Sequence, residues 1–315
     1  MIGYWVHDWS PFLVQFSNGF GIRWYGLSYL LAFFLGYWLY KRLSVQGYAD
    51  LPAEKVGDFI LWAGMLGVFL GGRVGYMLFY GWEEMKTDPL SIIRVWDGGM
   101  ASHGGILGLV IFTWFYARRH KISWTNLGDN LCVVAPLGLM VVRLANFING
   151  ELYGKASTVA WAVQFPSEVL ERPELGQQFS ARLATEAPNA PGIYEAIEQL
   201  PRSEEVTHIL SEILTPRHPS QLYQALLEGL LLFLILWFLR TRMKFPNGVL
   251  TGCFFIFYAV LRIVGEIFRE PDAALIMGIS RGQFYSLFMI LLGVSFMANA
   301  FRRQQYARRW QKQGH

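Results

Sequence analysis

Seven apolar runs, each about 20 residues long, dominate this chain of 315 residues. A helix of that length crosses the hydrocarbon core of a bilayer, where backbone groups cannot bind water and must be paired within the helix. Charged residues make up only 16% of the chain, whereas a soluble domain carries about 25%. The sequence therefore predicts an all-α polytopic membrane protein with seven transmembrane helices. The predicted spans are residues 24–40, 57–80, 101–117, 129–148, 221–239, 248–268 and 283–301.

The loops between these spans differ in their content of basic residues. Loops one, three and five and the C-terminal tail together contain 14 lysines and arginines, and the intervening short loops contain four. Because cytoplasmic loops carry an excess of basic residues, we predict an external N-terminus and a cytoplasmic C-terminus. No basic segment precedes the first span, so no cleavable signal peptide is expected. Anionic lipid headgroups account for the basic tail better than nucleic acid does.

The longest loop, residues 149–220, is predicted to form a small external head domain. It contains Trp161–Phe165, which is typical of a short strand. From Glu168 to Glu212 it contains nine glutamates and three arginines, and we interpret this segment as a solvated acidic insertion rather than a catalytic one. The predicted organisation is an N-terminal arm with spans one to four (1–148), the head domain (149–220), spans five to seven (221–301) and a basic tail (302–315).

Charged side chains interrupt two of the apolar runs. Arg143 and Asn146 lie three residues apart, and Tyr258, Arg262 and Glu266 are spaced by four, so each set shares one helix face. A charge at the bilayer centre costs roughly 3 kcal/mol. One interpretation is a buried ion pair that holds helices together. The predicted orientation puts both sets near the outer leaflet, however, and this shared depth favours a polar chamber for an anionic lipid headgroup.

The sequence contains no nucleophile motif of a familiar hydrolase. We find neither a Gly-x-Ser-x-Gly elbow nor a His-Glu-x-x-His zinc motif. Cys132 and Cys253 fit neither a disulfide nor a metal-binding pattern. We therefore expect the substrate to bring its own nucleophile. His103, which is followed by two glycines, is the preferred candidate for a general base, with Glu151, His218 or a water molecule as open alternatives.

The segment Arg143-x-Ala-Asn-Phe-Ile-Asn-x-Glu-x-x-Gly154 resembles the signature of the bacterial phosphatidylglycerol–prolipoprotein diacylglyceryl transferase family. The resemblance extends over nearly the whole chain. Val142 departs from it, since the family usually has glycine before the signature arginine, and the external loop is longer than is typical. Further matching segments are Trp24-Tyr25-Gly26, Gly72-Arg73, His103-Gly-Gly, Arg217-His-Pro-Ser-Gln-Leu-Tyr223 and the span with Arg262 and Glu266.

The resemblance implies a reaction in the bacterial cytoplasmic (inner) membrane. A diacylglyceryl group would move from phosphatidylglycerol to the thiol of the lipobox cysteine in the signal peptide of a preprolipoprotein. A thioether would form, glycerol phosphate would leave, and no metal or cofactor would be required. Glu151 and Glu266 would orient the arginines. The implied catalytic residues are His103, Arg143, Arg262 and Glu266. The implied phosphatidylglycerol-binding residues are Tyr25, Arg143, Asn146, Glu151, Gly154, Tyr258 and Arg262.

The competing interpretation is a transporter or flippase for an anionic lipid or solute, which would use the same arginine-lined chamber. Many transporters contain internal repeats with binding groups at the bilayer midplane. The sequence shows no such repeat, and its unusual polar groups lie on one side only. The transferase is therefore the preferred prediction.

Overall fold

Helices form over all seven predicted spans in the computed structural model, which describes residues 3–16, 21–94, 98–190, 192–198, 200–271 and 276–312. The α-helices are α1 (Trp24–Val45), α2 (Val56–Trp62), α3 (Gly71–Phe79), α4 (Trp82–Thr87), α5 (Ser102–His120), α6 (Trp124–Ile148), α7 (Ser167–Glu171), α8 (Pro173–Glu186), α9 (Ile193–Glu198), α10 (Glu204–Ile213), α11 (Ser220–Gln224), α12 (Leu232–Arg242), α13 (Val249–Glu266) and α14 (Arg281–Lys312). Two π-helical segments, Ala63–Leu70 and Ala225–Leu231, join α2 to α3 and α11 to α12. Short 3₁₀ helices cover Ala53–Lys55 and Pro89–Ile93.

Five helical segments in the described part of the chain are long and apolar enough to cross a membrane. They are Ala53–Phe79, Trp124–Ile148, Ser220–Arg242, Val249–Glu266 and Arg281–Ala307. The remaining two predicted spans correspond to α1, which is rich in tyrosine and tryptophan, and α5, which is rich in glycine. The prediction of a helical membrane protein is confirmed, whereas the number of seven spans stays a prediction.

The chain divides into two units. The first unit comprises Met1–Ala32, Pro136–Leu234 and Ile256–Leu291, and the second comprises Phe33–Ala135, Ile235–Phe255 and Leu292–His315. The first unit contains the signature segment, which begins in the last turns of α6, and most of α13. The second unit contains α2, α3 and α5.

In the second unit, glycines bring α3 and the N-terminal half of α5 into backbone contact. A Cβ atom added at Gly75 would lie 2.6 Å from the Cα atom of Gly104, and one added at Gly104 would lie 2.5 Å from the carbonyl oxygen of Gly71. No side chain larger than hydrogen fits at such distances. This contact fixes the first turns of α5, where His103 lies.

The segment predicted as a solvated acidic insertion has a hydrophobic core of its own. Helix α10 buries Val206, Ile209, Leu210 and Ile213, whose spacing of three and four residues places them on one helix face. These side chains cluster with others from α7, α8 and α9. The glutamates lie mainly on the outer faces of the helices, so the acidic composition conceals an amphipathic pattern.

Four short strands depart from the all-α prediction within the described residues. The predicted strand at Trp161–Phe165 is only two residues long, β4 (Val163–Gln164), and it pairs in parallel with β1 (Trp5–Val6). The other two strands, β2 (Phe12–Gln15) and β3 (Gly21–Arg23), form an antiparallel hairpin ahead of α1. The β1–β4 pairing joins the N-terminal arm to the start of the 149–220 segment.

His7 follows β1 and is buried, with 4% of its surface exposed. Its ring stacks on Phe165 at a centroid distance of 5.6 Å and meets the edge of Phe147 at 5.4 Å. Burial, together with the nearby charge of Arg202, lowers the pKa of His7 from 6.5 to about 4. The folded protein therefore keeps this histidine neutral where an unfolded chain would protonate it.

This difference predicts that acid destabilises the first unit through His7. Above pH 6.5 the ring is neutral in both states and contributes nothing to pH dependence. Between pH 6.5 and 4 only the unfolded chain binds the proton, so the free energy of unfolding should fall by up to about 3 kcal/mol. Thermal unfolding in detergent across this range should show a smaller drop for His7→Phe than for wild type. The exposed His208 provides the control, because His208→Gln should follow the wild-type curve.

Candidate active site

A buried glutamate in the first unit bridges the two arginines that the sequence singles out. Glu228 lies in the π-helical segment Ala225–Leu231 and is 1% exposed. Its Oε2 atom lies 3.4 Å from a guanidinium nitrogen of Arg262 and 3.8 Å from one of Arg143. The sequence analysis missed Glu228. A lone glutamate in the apolar run at 221–239 was the available signal, because such residues are as rare in membrane spans as arginines.

A second carboxylate, Glu266, fixes the opposite side of Arg262. Its Oε1 atom lies 3.1 Å from Arg262 and 3.5 Å from Arg269, and its Oε2 atom accepts a hydrogen bond of 3.0 Å from the Ser280 hydroxyl. Arg262 also donates a hydrogen bond to the Tyr258 hydroxyl. The three predicted residues of α13 therefore form one connected group, and the guanidinium of Arg262 is held between two carboxylates.

The arginines remain accessible while their carboxylate partners are buried. The side chains of Arg143 and Arg262 are 17% and 18% exposed, against 1% for Glu228 and 6% for Glu266. Three guanidinium groups, with Arg269, and two carboxylates leave one net positive charge in this group. Guanidinium groups stay charged at any relevant pH and bind phosphate oxygens through two hydrogen bonds. The arrangement suits a ligand with one negative charge, such as a phosphodiester.

The bridging position of Glu228 predicts a clear effect on stability. Glu228→Gln keeps the shape but removes the charge, so the two arginines lose their shared counterion, and we expect a loss of about 2–3 kcal/mol. Glu212→Gln is the matched control, because Glu212 also pairs with an arginine but is 49% exposed, where such pairs contribute less than about 1 kcal/mol. Thermal unfolding in detergent measures the stability of both variants relative to wild type. Equal shifts for the two variants would contradict the bridging role.

Glu151 is held by amides rather than by an arginine. Its Oε1 atom accepts hydrogen bonds from Asn146 (2.7 Å) and Asn149 (3.3 Å), and its backbone oxygen accepts one of 2.7 Å from the Gln221 side chain. No ion pair joins Glu151 to an arginine among the described residues, so the expected pairing is not found there. The chain turns back after α6, which brings the glutamate against Asn146 on the same helix end. Glu228, rather than Glu151, forms the ion pair with Arg143.

Gly154 occupies a backbone crossing where no side chain fits. Its N–H donates to the carbonyl oxygen of His218 at 2.9 Å. An added Cβ atom would lie 2.5 Å from the Phe268 carbonyl oxygen and 2.6 Å from that of His218. The glycine thus joins the signature segment to the chain ahead of α11 and to the end of α13.

Tyr25 lies in the first turn of α1, within the first unit. Its hydroxyl is 3.3 Å from that of Tyr29. It lies within electrostatic range of Glu151 and Arg143. Tyr25 thus belongs to the same unit as the signature residues, and its role in binding the lipid stays a prediction.

His218, an alternative candidate for the general base, contacts an aromatic pair in the first unit. The indole N–H of Trp161 donates to the Tyr223 hydroxyl at 2.6 Å, and that hydroxyl lies 3.1 Å from Nδ1 of His218. The hydroxyl can accept from both Trp161 and Nδ1–H, or donate its own proton to Nδ1, so the direction of this bond depends on the tautomer of the ring. Burial lowers the pKa of His218, which favours the neutral form of the ring. The role of His218 as a general base stays a prediction.

His103 and Arg73 belong to the second unit. His103 is exposed in the first turn of α5, and its role as a base stays a prediction. Arg73 is 2% exposed, and its guanidinium donates to the backbone carbonyl groups of Ile92 (3.3 Å), Gly99 (3.3 Å), Ser91 and Gly98. These bonds hold Ser91–Ile92 and Gly98–Gly99 against α3, which identifies Arg73 as a structural residue.

Comparison with known proteins adds an independent observation. A family model described as prolipoprotein diacylglyceryl transferase matches residues 11–299. A relative from Bdellovibrio bacteriovorus is 38% identical over 93% of this chain and 93% of its own length. One from Neisseria gonorrhoeae is 38% identical over 95% of this chain and 98% of its own, and one from Shigella boydii is 40% identical over 92% and 93%. All three are named phosphatidylglycerol–prolipoprotein diacylglyceryl transferase.

Proposed function

This chain belongs to the prolipoprotein diacylglyceryl transferase family, and we propose that Arg143 and Arg262 bind the phosphate of its lipid substrate. It is a bacterial membrane enzyme that transfers the diacylglyceryl group of phosphatidylglycerol to a prolipoprotein. The observation that carries the proposed role of the arginines is their bridging by Glu228, at 3.8 and 3.4 Å. This bridge directs two partly exposed guanidinium groups from different helices toward one ligand.

The acceptor in our proposal is the thiol of the lipobox cysteine in the signal peptide of a preprolipoprotein. Its sulfur attacks the carbon of the diacylglyceryl group that bears the phosphate. A carbon–sulfur bond forms, and the bond between that carbon and the phosphate oxygen breaks. Glycerol phosphate leaves with the electron pair of that bond. A free thiol has a pKa of about 8.5, so only a few per cent is thiolate near pH 7. A base that removes its proton is therefore needed, and His103 is our candidate.

The arginines act on the leaving group. As the carbon–oxygen bond breaks, the charge on the phosphate grows from one to two, and fixed guanidinium groups stabilise that increase without having to reorganise. Glu228 and Glu266 keep Arg262 in place from two sides, and Glu228 does the same for Arg143. Tyr25, Asn146, Glu151 and Tyr258 are proposed to hydrogen-bond the headgroup.

The membrane arrangement is also part of the proposal. Seven spans, a periplasmic N-terminus and a cytoplasmic C-terminus follow from the apolar runs and from the excess of basic residues in alternate loops. Residues 149–220 would then form a head domain in the periplasm, and the arginines near the outer leaflet would meet lipid entering sideways from the membrane. The hydrophobic core of α7 to α10 is consistent with a folded head.

The test uses the purified protein in detergent with phosphatidylglycerol and a lipobox peptide. We compare a cysteine peptide with its serine counterpart, and wild type with Arg143→Ala. Release of glycerol phosphate should require both the thiol and Arg143. Wild-type protein that binds phosphatidylglycerol but releases no glycerol phosphate would contradict the transferase and support a transporter. Release by Arg143→Ala at the wild-type rate would remove the phosphate-binding role of that arginine.

A further inference from the structure

A basic cavity lies in the second unit, where α5 ends and α6 begins. It has a volume of about 370 Å³, and its lining includes Arg118, Lys121 and Arg303 together with Trp114 and Trp124. Arg118 and Lys121 come from the last turn of α5 and the residue that follows it, and Arg303 comes from α14. Three positive charges from two parts of the chain thus meet at one opening.

These three charges have no carboxylate counterion in the part of the chain that the structure describes. None of the residues that line the cavity is acidic. The carboxylate of Asp50 accepts a hydrogen bond of 3.4 Å from the Ser123 backbone, but it forms no ion pair with any of the three described cations. Like charges around one cavity repel each other, and a bound anion would remove that repulsion.

Arg240, in the same unit, is differently arranged. It is 8% exposed and donates to the side chain of Asn130 and to the carbonyl oxygen of Tyr48. This residue supports the packing of the helix ends. The cations of the cavity instead line an open space of a size that suits a small ligand.

The position of the cavity matches the headgroup level of a membrane. It lies at the ends of apolar helices, and two tryptophans, which favour the membrane–water interface, form part of its wall. Arg118 lies 4.3 Å above the ring of Trp114, so this cation is fixed beside an interfacial aromatic. The predicted orientation assigns the loop between α5 and α6 to the cytoplasmic side, where the leaflet contains anionic lipids.

We propose that this cavity binds the phosphate group of an anionic lipid in the cytoplasmic leaflet. The lipid would bridge α5, α6 and α14 without taking part in the transfer reaction. This site is separate from the arginines of the first unit, and its existence does not depend on the proposed function. Basic pockets between transmembrane helices bind anionic headgroups in this way.

The experiment measures how many phosphatidylglycerol molecules the full chain retains. Protein purified in detergent is titrated with phosphatidylglycerol and analysed by native mass spectrometry. The cavity variant is Arg118→Gln/Lys121→Gln/Arg303→Gln. The control variant, Lys41→Gln/Arg42→Gln/Lys244→Gln, removes the same charge from the same predicted side of the membrane. Thermal unfolding verifies that both variants are folded.

We expect the cavity variant to lose one retained lipid per chain, with an affinity for that lipid lowered on the order of a hundredfold, since each basic residue near an anionic surface contributes roughly a fivefold factor. The control residues do not line the cavity, so they act on this one lipid only through screened solvent and its affinity should fall less than about tenfold. Glycerol phosphate release should be retained in both variants. Equal losses in the two variants would mean that only diffuse surface charge binds lipid, and no loss in either would mean that the cavity binds none. Both results would overturn the proposal.

A second arm separates a lipid from free phosphate. The protein in zwitterionic lipid nanodiscs is titrated with inorganic phosphate, and phosphate is also added in excess to the protein with bound phosphatidylglycerol. We expect no measurable phosphate binding below millimolar concentrations and no displacement of the lipid. Phosphate that binds tightly, is lost in the cavity variant and displaces phosphatidylglycerol would assign the site to a soluble phosphate ligand instead.

Discussion

The Arg262→Lys variant is expected to lose about a hundred- to a thousandfold in kcat/KM for diacylglyceryl transfer, which is the usual cost of losing one fixed donor to a developing negative charge. Arg262 contacts Glu228 at 3.4 Å and Glu266 at 3.1 Å through two different nitrogen atoms, and it also bonds Tyr258. A lysine ammonium is a single point that cannot hold both carboxylates and still present two donors to a phosphate. The measurement is glycerol phosphate release with varied phosphatidylglycerol.

Arg182→Lys is the matched control for this substitution. Arg182 also spans two carboxylates, with distances of 2.6 Å to Glu186 and 2.6 Å to Glu212, but it lies on α8. Its replacement should leave kcat/KM unchanged within about a factor of two, since surface ion pairs contribute little. If Arg262→Lys were as active as Arg182→Lys, the bidentate binding of phosphate by Arg262 would be refuted.

The second large effect is expected for His103→Gln, which should reduce transfer by about a hundred- to ten-thousandfold, the range that a positioned base contributes. Glutamine is similar in size and polarity but accepts no proton from a thiol. Because the arginines are unchanged, retention of phosphatidylglycerol should equal that of wild type. Single-turnover transfer to the lipobox peptide measures the transfer rate. Native mass spectrometry of the same preparation measures the retained phosphatidylglycerol.

His120→Gln is the control on the same helix, since His120 lies in the last turn of α5 and packs on Tyr116 at a centroid distance of 4.2 Å. It should transfer at the wild-type rate. Turnover by His103→Gln with an unchanged pH profile would exclude His103 as the base. Glu151, held by two asparagines, His218 or a water molecule would then remain as candidates for the base.

The helices of this protein were predictable because their signal is local. An apolar run of membrane length forms a helix whatever its neighbours are, since the bilayer leaves the backbone no other partner. The spacing of Tyr258, Arg262 and Glu266 was likewise sufficient to place them on one face, because helical periodicity depends only on neighbours in sequence. Helix ends were less certain, and α14 continues to Lys312, well into the segment predicted as a separate tail.

The head segment shows a pattern that was present in the sequence but obscured by composition. The apolar residues of α10 recur at helical spacing, yet the nine glutamates between Glu168 and Glu212 dominated the interpretation. One of these glutamates, Glu168, is itself buried and lies 2.8 Å from Nε of Arg217. Net charge describes the average surface of such a segment, whereas the periodicity of its apolar residues describes its core.

The sequence by itself thus determined the membrane helices, the faces on which the unusual polar residues lie and the family to which the chain belongs. Only the tertiary structure decided which charges meet. Glu228 and Arg262 are 34 residues apart in sequence. Glu151 accepts hydrogen bonds from two asparagines instead of pairing with an arginine, as the sequence analysis had expected it to do. Ion pairs between helices depend on how the helices pack, and packing is a property of the whole chain that no local pattern of residues encodes.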